Sequence, residues 1–275
     1  MRLLIFGLGY SATRIAALAA AQGAAVVATT RNGRGGTVRF DDGDAVRSTI
    51  ASVTHVLSSV PPDAAAHDPV LASYGDVLGD KVLSYLSSTG VYGDTGGAWV
   101  DETAAIGGRR PARAAADRAW LALGARVFRL PGIYGPCRSA LDRVAAGEAH
   151  RVGGAGVFSR IHVDDLATGV VTGLEAPAGA YNLADDLSAP HDAAIEFAAG
   201  LMGIEPPPIV SLDQLSPMAR GFHLENRRVS NGKAKRVLGW TPQYRSYREG
   251  LRAVSAITSP TAARTAPPTA SGVQR

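Results

Sequence analysis

The sequence predicts an α/β protein built on a doubly wound parallel sheet, and three observations carry that expectation. Short, uninterrupted apolar runs alternate with segments of helical spacing through the first half of the chain. The first run ends in a glycine turn that opens a helix, and the other runs are bounded by Gly, Pro or charged residues. Strands that are apolar on both faces belong to a sheet covered by helices on both sides, and right-handed connections between them wind it in two directions.

Element by element, "RLLIFG" reads as a strand and "SATRIAALAAAQG" as a helix closed by glycine. "AAVVATTR" is a second strand and "TVRF" a weaker third; "AVRSTIASV" is a short helix before the strand "THVLSSV", which stops at Pro61-Pro62. "DPVLASYGDVL" is helical, "KVLSYLSS" is a buried strand, "PARAAADRAWLALG" a helix and "ARVFRL" the next strand. Beyond Leu130 the rhythm loosens. "SALDRVAAG" and "VDDLATGVVTGLE" read as helices, "HRVGGAGVFSRIHV" as short strands, "GAYNLAD" as a strand and "APHDAAIEFAAGLMG" as a helix. After "PPPIV" the chain is Arg-rich to Gly250, with turns and short helices. Residues 1–135 are expected to form a nucleotide-binding domain to which 155–185 return. Residues 136–154 and 186–258 then form a smaller substrate-side subdomain, and 259–275 a disordered Pro/Ala/Thr/Ser tail.

Composition narrows the function classes. A hydrophobic fraction of 46% and a charged fraction of 19% over 275 residues are those of a globular protein with a sizeable core. The net charge of +4 suits an acidic ligand, but the arginines are scattered, without the clustering of a nucleic-acid surface. The single Cys137 excludes an internal disulfide framework and a cysteine-based zinc site, which fits a cytoplasmic setting. The histidines lack metal-ligand spacing, so no metal is expected. Gly7, Gly9 and Arg14 break the apolar amino-terminal stretch, so it reads as strand, turn and helix rather than signal peptide or membrane span.

"GLGYSA", Gly7 to Ala12, is a G-x-G-x-x-A between the first strand and the first helix. Gly7 permits the tight turn, Gly9 lets the backbone approach a pyrophosphate, and Ala12 keeps the helix close to the sheet. The backbone of Tyr10, Ser11 and Ala12 then offers free N–H groups and a partial positive charge to the phosphates. A Rossmann-type sheet binding a dinucleotide is the expectation; a turn used for packing alone is the alternative. The second strand ends in Arg31 with no acid nearby, which favours NADP(H) over NAD(H), because a ribose 2′-phosphate wants a cation. Asp41 or Asp42, after the third strand, is placed to reach the adenine amino group, or is simply an exposed turn acid.

Together with "SSTGVYGD", "RLPGIYGP", "RIHVDDLA" and "LGWTP…YREGL", the glycine turn makes the chain resemble an extended short-chain dehydrogenase/reductase, the NAD(P)-dependent epimerase/dehydratase family, from Met1 to about Leu251. The resemblance implies that Ser58, Ser59, Val60 and Pro61 line the cofactor. It places Ser87 and Thr89 beside the nicotinamide, with a hydroxyl orienting the substrate. It carries Arg129 to Ile133, including Pro131 and Ile133, past the nicotinamide carboxamide. Tyr134, Arg138, Arg160 and His162 fall on the substrate side. Family members often dimerise through two helices, here "PVLASYGDVL" and "AAADRAWLAL".

One family feature is absent. No Tyr in the chain has a Lys four residues later, so the usual proton-transfer pair is missing and the resemblance is to an atypical branch. Alignment through Ala116-Asp117 puts Arg109 and Arg113 at the two positions, and arginine does not shuttle protons near neutrality. Tyr92 is the candidate replacement acid, beside Thr89; His162 has a suitable ordinary pKa but sits where it would cap a helix. The expected function is therefore an NAD(P)-binding oxidoreductase or epimerase-like protein for a small polar substrate, by family analogy a nucleotide sugar, with a non-standard proton-transfer site. The alternative is a catalytically inactive NADP(H)-sensing protein.

Overall fold

The computed structural model describes residues 1–63, 67–154, 156–223 and 225–258. The expected tail, 259–275, lies outside the described residues. The nucleotide half runs β1 (Arg2–Phe6), α1 (Tyr10–Ala21), β2 (Ala25–Thr30), β3 (Val38–Arg39), α2 (Gly43–Ser52), β4 (His55–Ser58), α3 (Pro69–Tyr74) and β5 (Val82–Ser88). After a 3-10 turn at Thr89–Tyr92 come β6 (Trp99–Val100), α4 (Pro111–Ala122), β7 (Arg126–Leu130) and β8 (Gly132–Tyr134). The remainder holds α5 (Ala140–Ala145), β9 (Val157–Phe158), β10 (Arg160–His162), α6 (Val163–Gly173), β11 (Gly179–Asn182) and β12 (Ala189–Pro190). It ends with α7 (His191–Met202), α8 (Pro217–His223), β13 (Arg228–Val229) and α9 (Tyr247–Thr258).

Among the described residues, seven strands form one parallel sheet in the order β11-β7-β5-β4-β1-β2-β3. Strand order reverses at β1, so helices fall on both faces. The alternation of β1 shows it: Leu3 and Ile5 join Ile15 of α1 and Val170 of α6 on one face, while Leu4 and Phe6 join Ile50 of α2 and Trp120 of α4 on the other. α6 packs closely because its glycines leave no room for side chains: a Cβ at Gly173 would lie 2.6 Å from Phe128, and one at Gly169 2.9 Å from Leu183.

On the α4 face, Trp120 is fully buried and stacks on Tyr85 at 5.4 Å. Its indole N–H donates to Asp68 Oδ2 at 2.7 Å, and the same carboxylate caps α3 through the N–H groups of Val70 and Leu71. One acid thus serves both an aromatic packed in the core and a helix start, which satisfies groups that burial would otherwise leave unpaired.

A further apolar cluster joins α5, α7 and α9 through Leu141, Val144, Ile195, Ala198, Leu251 and Val254. α9 is a departure from the sequence reading, which ended in turns and short helices. Its core face is set by Tyr247, Leu251 and Val254, spaced four and three, with Arg248, Glu249 and Arg252 among the positions between them, the spacing of an amphipathic helix. The two-residue strands β6, β12 and β13 are likewise too short to show a period.

Candidate active site

At the C-terminal end of β1, the glycine turn has the geometry a pyrophosphate requires. Gly7 has φ 81°, and a Cβ there would lie 3.0 Å from Ser59 Oγ and 3.1 Å from Val60. Ser59 holds the turn from β4 by donating to the carbonyls of Phe6 and Gly7, at 3.1 and 2.8 Å. No side chain caps the start of α1 and its first turn carries no acid, so the amino-terminal N–H groups have no side-chain acceptor. A Cβ at Gly9 would meet nothing within 4 Å, and Ser58 is buried with a hydroxyl that has no hydrogen-bond partner among the described residues. These residues fit a dinucleotide phosphate group.

Around the turn, Tyr10 reaches across to the 135–138 loop: its hydroxyl donates to the Pro136 carbonyl at 3.0 Å, and the Arg138 guanidinium lies 5.5 Å over its ring. Arg31 is exposed and makes no hydrogen bond or ion pair with a described residue. Pro61 is exposed beyond β4. Asp41 is committed to Arg39, which donates to both its oxygens at 3.0 and 2.8 Å; that hydrogen bonding holds its carboxyl below the usual range. An adenine contact from Asp41 would have to displace this pairing.

A cavity of about 1020 Å³ opens beside the ends of β5 and β7. Ser88, Thr89 and Gly90 form one edge, with Pro131, Ile133 and Tyr134 from β7 and β8 beside them. Thr89 is buried and its hydroxyl makes no hydrogen bond with a described residue. Seven arginines line the cavity against three carboxylates, so its walls are electropositive.

Two of the expected site residues, Ser87 and Tyr92, do not line this cavity. Side chains alternate along β5, so Ser87 shares the α4 face with Tyr85 while Ser88 and Thr89 line the cavity. Ser87 donates to Asp117 Oδ2 at 2.6 Å and is not a cavity residue. Tyr92 is also outside the lining: its buried hydroxyl donates to Asn182 Oδ1 at 2.8 Å and accepts from Arg129 Nη1 at 2.9 Å. Burial raises its pKa, the wrong direction for a proton shuttle. These groups form one network, because register sets Ser87, Arg129 and Asn182 side by side on β5, β7 and β11.

His162 belongs to α6. Its Nδ1 accepts from the Asp164 N–H at 3.3 Å, capping the helix; it is buried, outside the cavity lining, and burial lowers its pKa. Arg109 donates to Glu225 at 2.6 Å, and Arg113 to the Tyr85 hydroxyl at 3.0 Å, so both stand on the cavity wall as cations. Arg138 and Arg160 line the same cavity.

The sequence reading missed the far contributors: Arg143, His150, His191, His223 and Arg227 also line it. No motif marks them. Tertiary folding brings three histidines together, His191 and His223 with ring centres 5.2 Å apart and His150 and His223 6.2 Å apart. Among the described residues no group of His, Cys, Asp or Glu has the arrangement to hold a metal, and no helix is long and apolar enough to cross a membrane.

No protein-family model matches the chain. A curated relative, the 3-diazoavenalumate denitrifying reductase of a Streptomyces species, is 35% identical over 138 residues, 46% of this chain and 45% of that protein, so the chain matches about half of its length. Among solved structures, a functionally unknown conserved protein of Silicibacter pomeroyi is 37% identical, with 93% of this chain and 98% of that one covered and a TM-score of 0.82. The dTDP-glucose 4,6-dehydratase of Bacillus anthracis, solved with NAD, superposes with a TM-score of 0.78 at 15% identity, covering 95% and 97%. A human epimerase family protein solved with NADPH gives 0.74 at 18%, covering 93% and 99%. The chain thus has the fold of these NAD- and NADPH-bound proteins, and by sequence it belongs to one family with the Silicibacter pomeroyi protein.

Proposed function

We propose that the protein is an NADP(H)-dependent reductase or epimerase-like enzyme for a small, polar, anionic substrate. The observation that carries the reading is the cavity edge at Ser88–Gly90 and Pro131–Ile133, which opens at the end of the sheet that bears the glycine turn. Ligands of open α/β sheets bind at that end. The resemblance to a named reductase over half the chain agrees with it.

Gly7, Gly9 and the first turn of α1 would hold the dinucleotide phosphates, and Arg31 the 2′-phosphate. A bound nicotinamide supplies or accepts the hydride. Thr89 orients a substrate oxygen or nitrogen by hydrogen bonding, and the arginines hold the substrate's negative charge. The aspartate and serine beneath Thr89 have a supporting role: Asp117 grips Ser87 and so fixes the strand end from which Thr89 projects.

The commitment of Tyr92 to Asn182 and Arg129 favours one rival reading, a cofactor-binding protein without turnover. The deciding experiment is a calorimetric titration with NADPH and NADH on wild type and Arg31→Ala, followed by a search for hydride transfer. NADPH affinity reduced about tenfold in the variant, with NADH affinity unchanged, is the expected result; about 1.4 kcal/mol is a modest share for one phosphate contact. Failure of both cofactors to bind would sink the proposal. Binding with no hydride transfer to any tested substrate would leave the rival.

A further inference from the structure

Resting on the reading of this cavity as the substrate site, we propose that its α5–α7 wall is an oxyanion subsite, in which Arg143, Arg160 and the amino-terminal turn of α7 grip a carboxylate or phosphate on a ring-sized substrate body that keeps one apolar face.

Three positive features from separate elements converge there. Arg143, on α5, is partly buried, and its Nη2 lies 2.9 Å from His191 Nε2. It forms no ion pair with a carboxylate among the described residues. Arg160, on β10, is 9% exposed and donates only to backbone carbonyls: Phe158 at 3.2 Å, Ala189 at 3.0 Å and Pro190 at 3.1 Å. Those bonds fix the guanidinium in place, with the Tyr247 ring 5.4 Å beneath it, but neutralise no charge. His191 is the first residue of the twelve-residue α7, whose start has no side-chain cap. The helix dipole therefore adds positive potential at the same wall.

Desolvating two cations without matching carboxylates is costly, and an anion bound between them would offset that cost. Burial lowers the pKa of both arginines, and burial with the neighbouring cations pulls His191 down to about 3. His191 is thus neutral at pH 7 and accepts from Arg143 through Nε2, which orients that guanidinium.

The nearby acids do not cancel the charge. Asp192 accepts the Val152 N–H with both oxygens, and Asp142 is consumed in the capping box of α5. Glu148 is exposed, and Glu225 is paired with Arg109 and Arg227. Asp185, whose charge acts on Arg160, forms no ion pair with it among the described residues, and burial pushes its carboxyl up to about 8. His150 and His223 line the same wall. Phe158, Ile195 and Leu251 line the same cavity and supply the apolar surface for the substrate body.

The test titrates the full chain with benzoate, phenyl phosphate and the neutral isostere benzamide, by calorimetry, in wild type, Arg143→Gln and Arg143→Lys, with NADPH titrated in parallel. Benzoate or phenyl phosphate is expected to bind wild type at least tenfold tighter than benzamide. Arg143→Gln should lose that tenfold, Arg143→Lys should recover part of it, and NADPH affinity should be the same in all three. Whichever anion binds tighter tells a carboxylate substrate from a phosphorylated one. Equal affinity for benzamide, no binding of any probe to wild type, or an unchanged Arg143→Gln overturns the subsite. The wild-type comparison of anion with isostere stands even where a variant does not fold. Loss of NADPH binding by wild type alone would strike the dinucleotide reading and leave the anion result readable.

Discussion

Arg129 of β7 and Asp117 of α4 meet at 2.7 Å with side chains 2% and 0% exposed, directly beneath the turn that carries Thr89. A second bond, from Arg129 Nε to Asp117 Oδ2, is 3.1 Å long, and Ser87 donates to the same oxygen. Burial works against the Arg129 charge, yet hydrogen bonds to Asp117 and Tyr92 outweigh it and raise its pKa. Both carboxylate oxygens of Asp117 accept from Arg129, and such hydrogen bonding is the condition under which a buried ion pair is tolerated.

Removing one partner leaves an uncompensated buried charge. Asp117→Ala is expected to destabilise the protein by about 3–5 kcal/mol, read as a lower denaturant midpoint. A loss under about 1 kcal/mol would mean that the network is not needed for stability.

Thr89 and Tyr92, three residues apart, should respond differently. Thr89→Ala is expected to lower kcat by about tenfold or more with little change in Tm, because Thr89 lines the cavity and, on the proposed reading, its hydroxyl orients the substrate. Tyr92→Phe leaves Asn182 and Arg129 short of a partner and should cost about 1–3 kcal/mol of stability. Turnover measured beside thermal unfolding separates the two; a Tyr92→Phe enzyme of normal stability and abolished turnover would return Tyr92 to the mechanism.

Gly7→Ala tests the phosphate turn. The new methyl meets Ser59 and Val60 in a conformation that L-residues avoid, so it should cost more than about 1 kcal/mol and weaken dinucleotide binding. Calorimetry on a variant shown to be folded would read it, and unaltered affinity would place the phosphates elsewhere.

Asp185 gives a pH signature. Its folded pKa, about 8, lies above the unfolded value, so the stability it contributes is full below about pH 4 and is lost as pH rises through 8. Asp185→Asn removes that loss. The variant should match wild type near pH 4 and be the more stable protein at pH 8, by denaturant titration at each pH. An equal gap at both values would show that Asp185 does not titrate in this range.

Much of the architecture was legible from local pattern. The strands "RLLIFG" and "KVLSYLSS" and the helix "SATRIAALAAAQG" announce themselves because burial on both faces, or on one helical stripe, leaves a period in the sequence. The turn at Gly7 was legible for a similar reason, since a φ of 81° is affordable chiefly to glycine. α9 was missed although Tyr247, Leu251 and Val254 carry its helical period, because the Arg-rich stretch before it was read as turns and short helices.

The sequence by itself determined a parallel α/β sheet, a tight G-x-G-x-x-A turn and the absence of a Tyr-x-x-x-Lys pair, all of which are fixed by residue type and near neighbours. Only the tertiary structure decided that Ser87 turns toward Asp117, that Tyr92 is enclosed, and that Arg143, Arg160 and His191 share one wall. Those outcomes depend on strand alternation, on the register of β5, β7 and β11, and on connections that join residues 12 to 90 positions apart. Local chemistry selects the elements; the order in which the sheet assembles them selects which side chains meet.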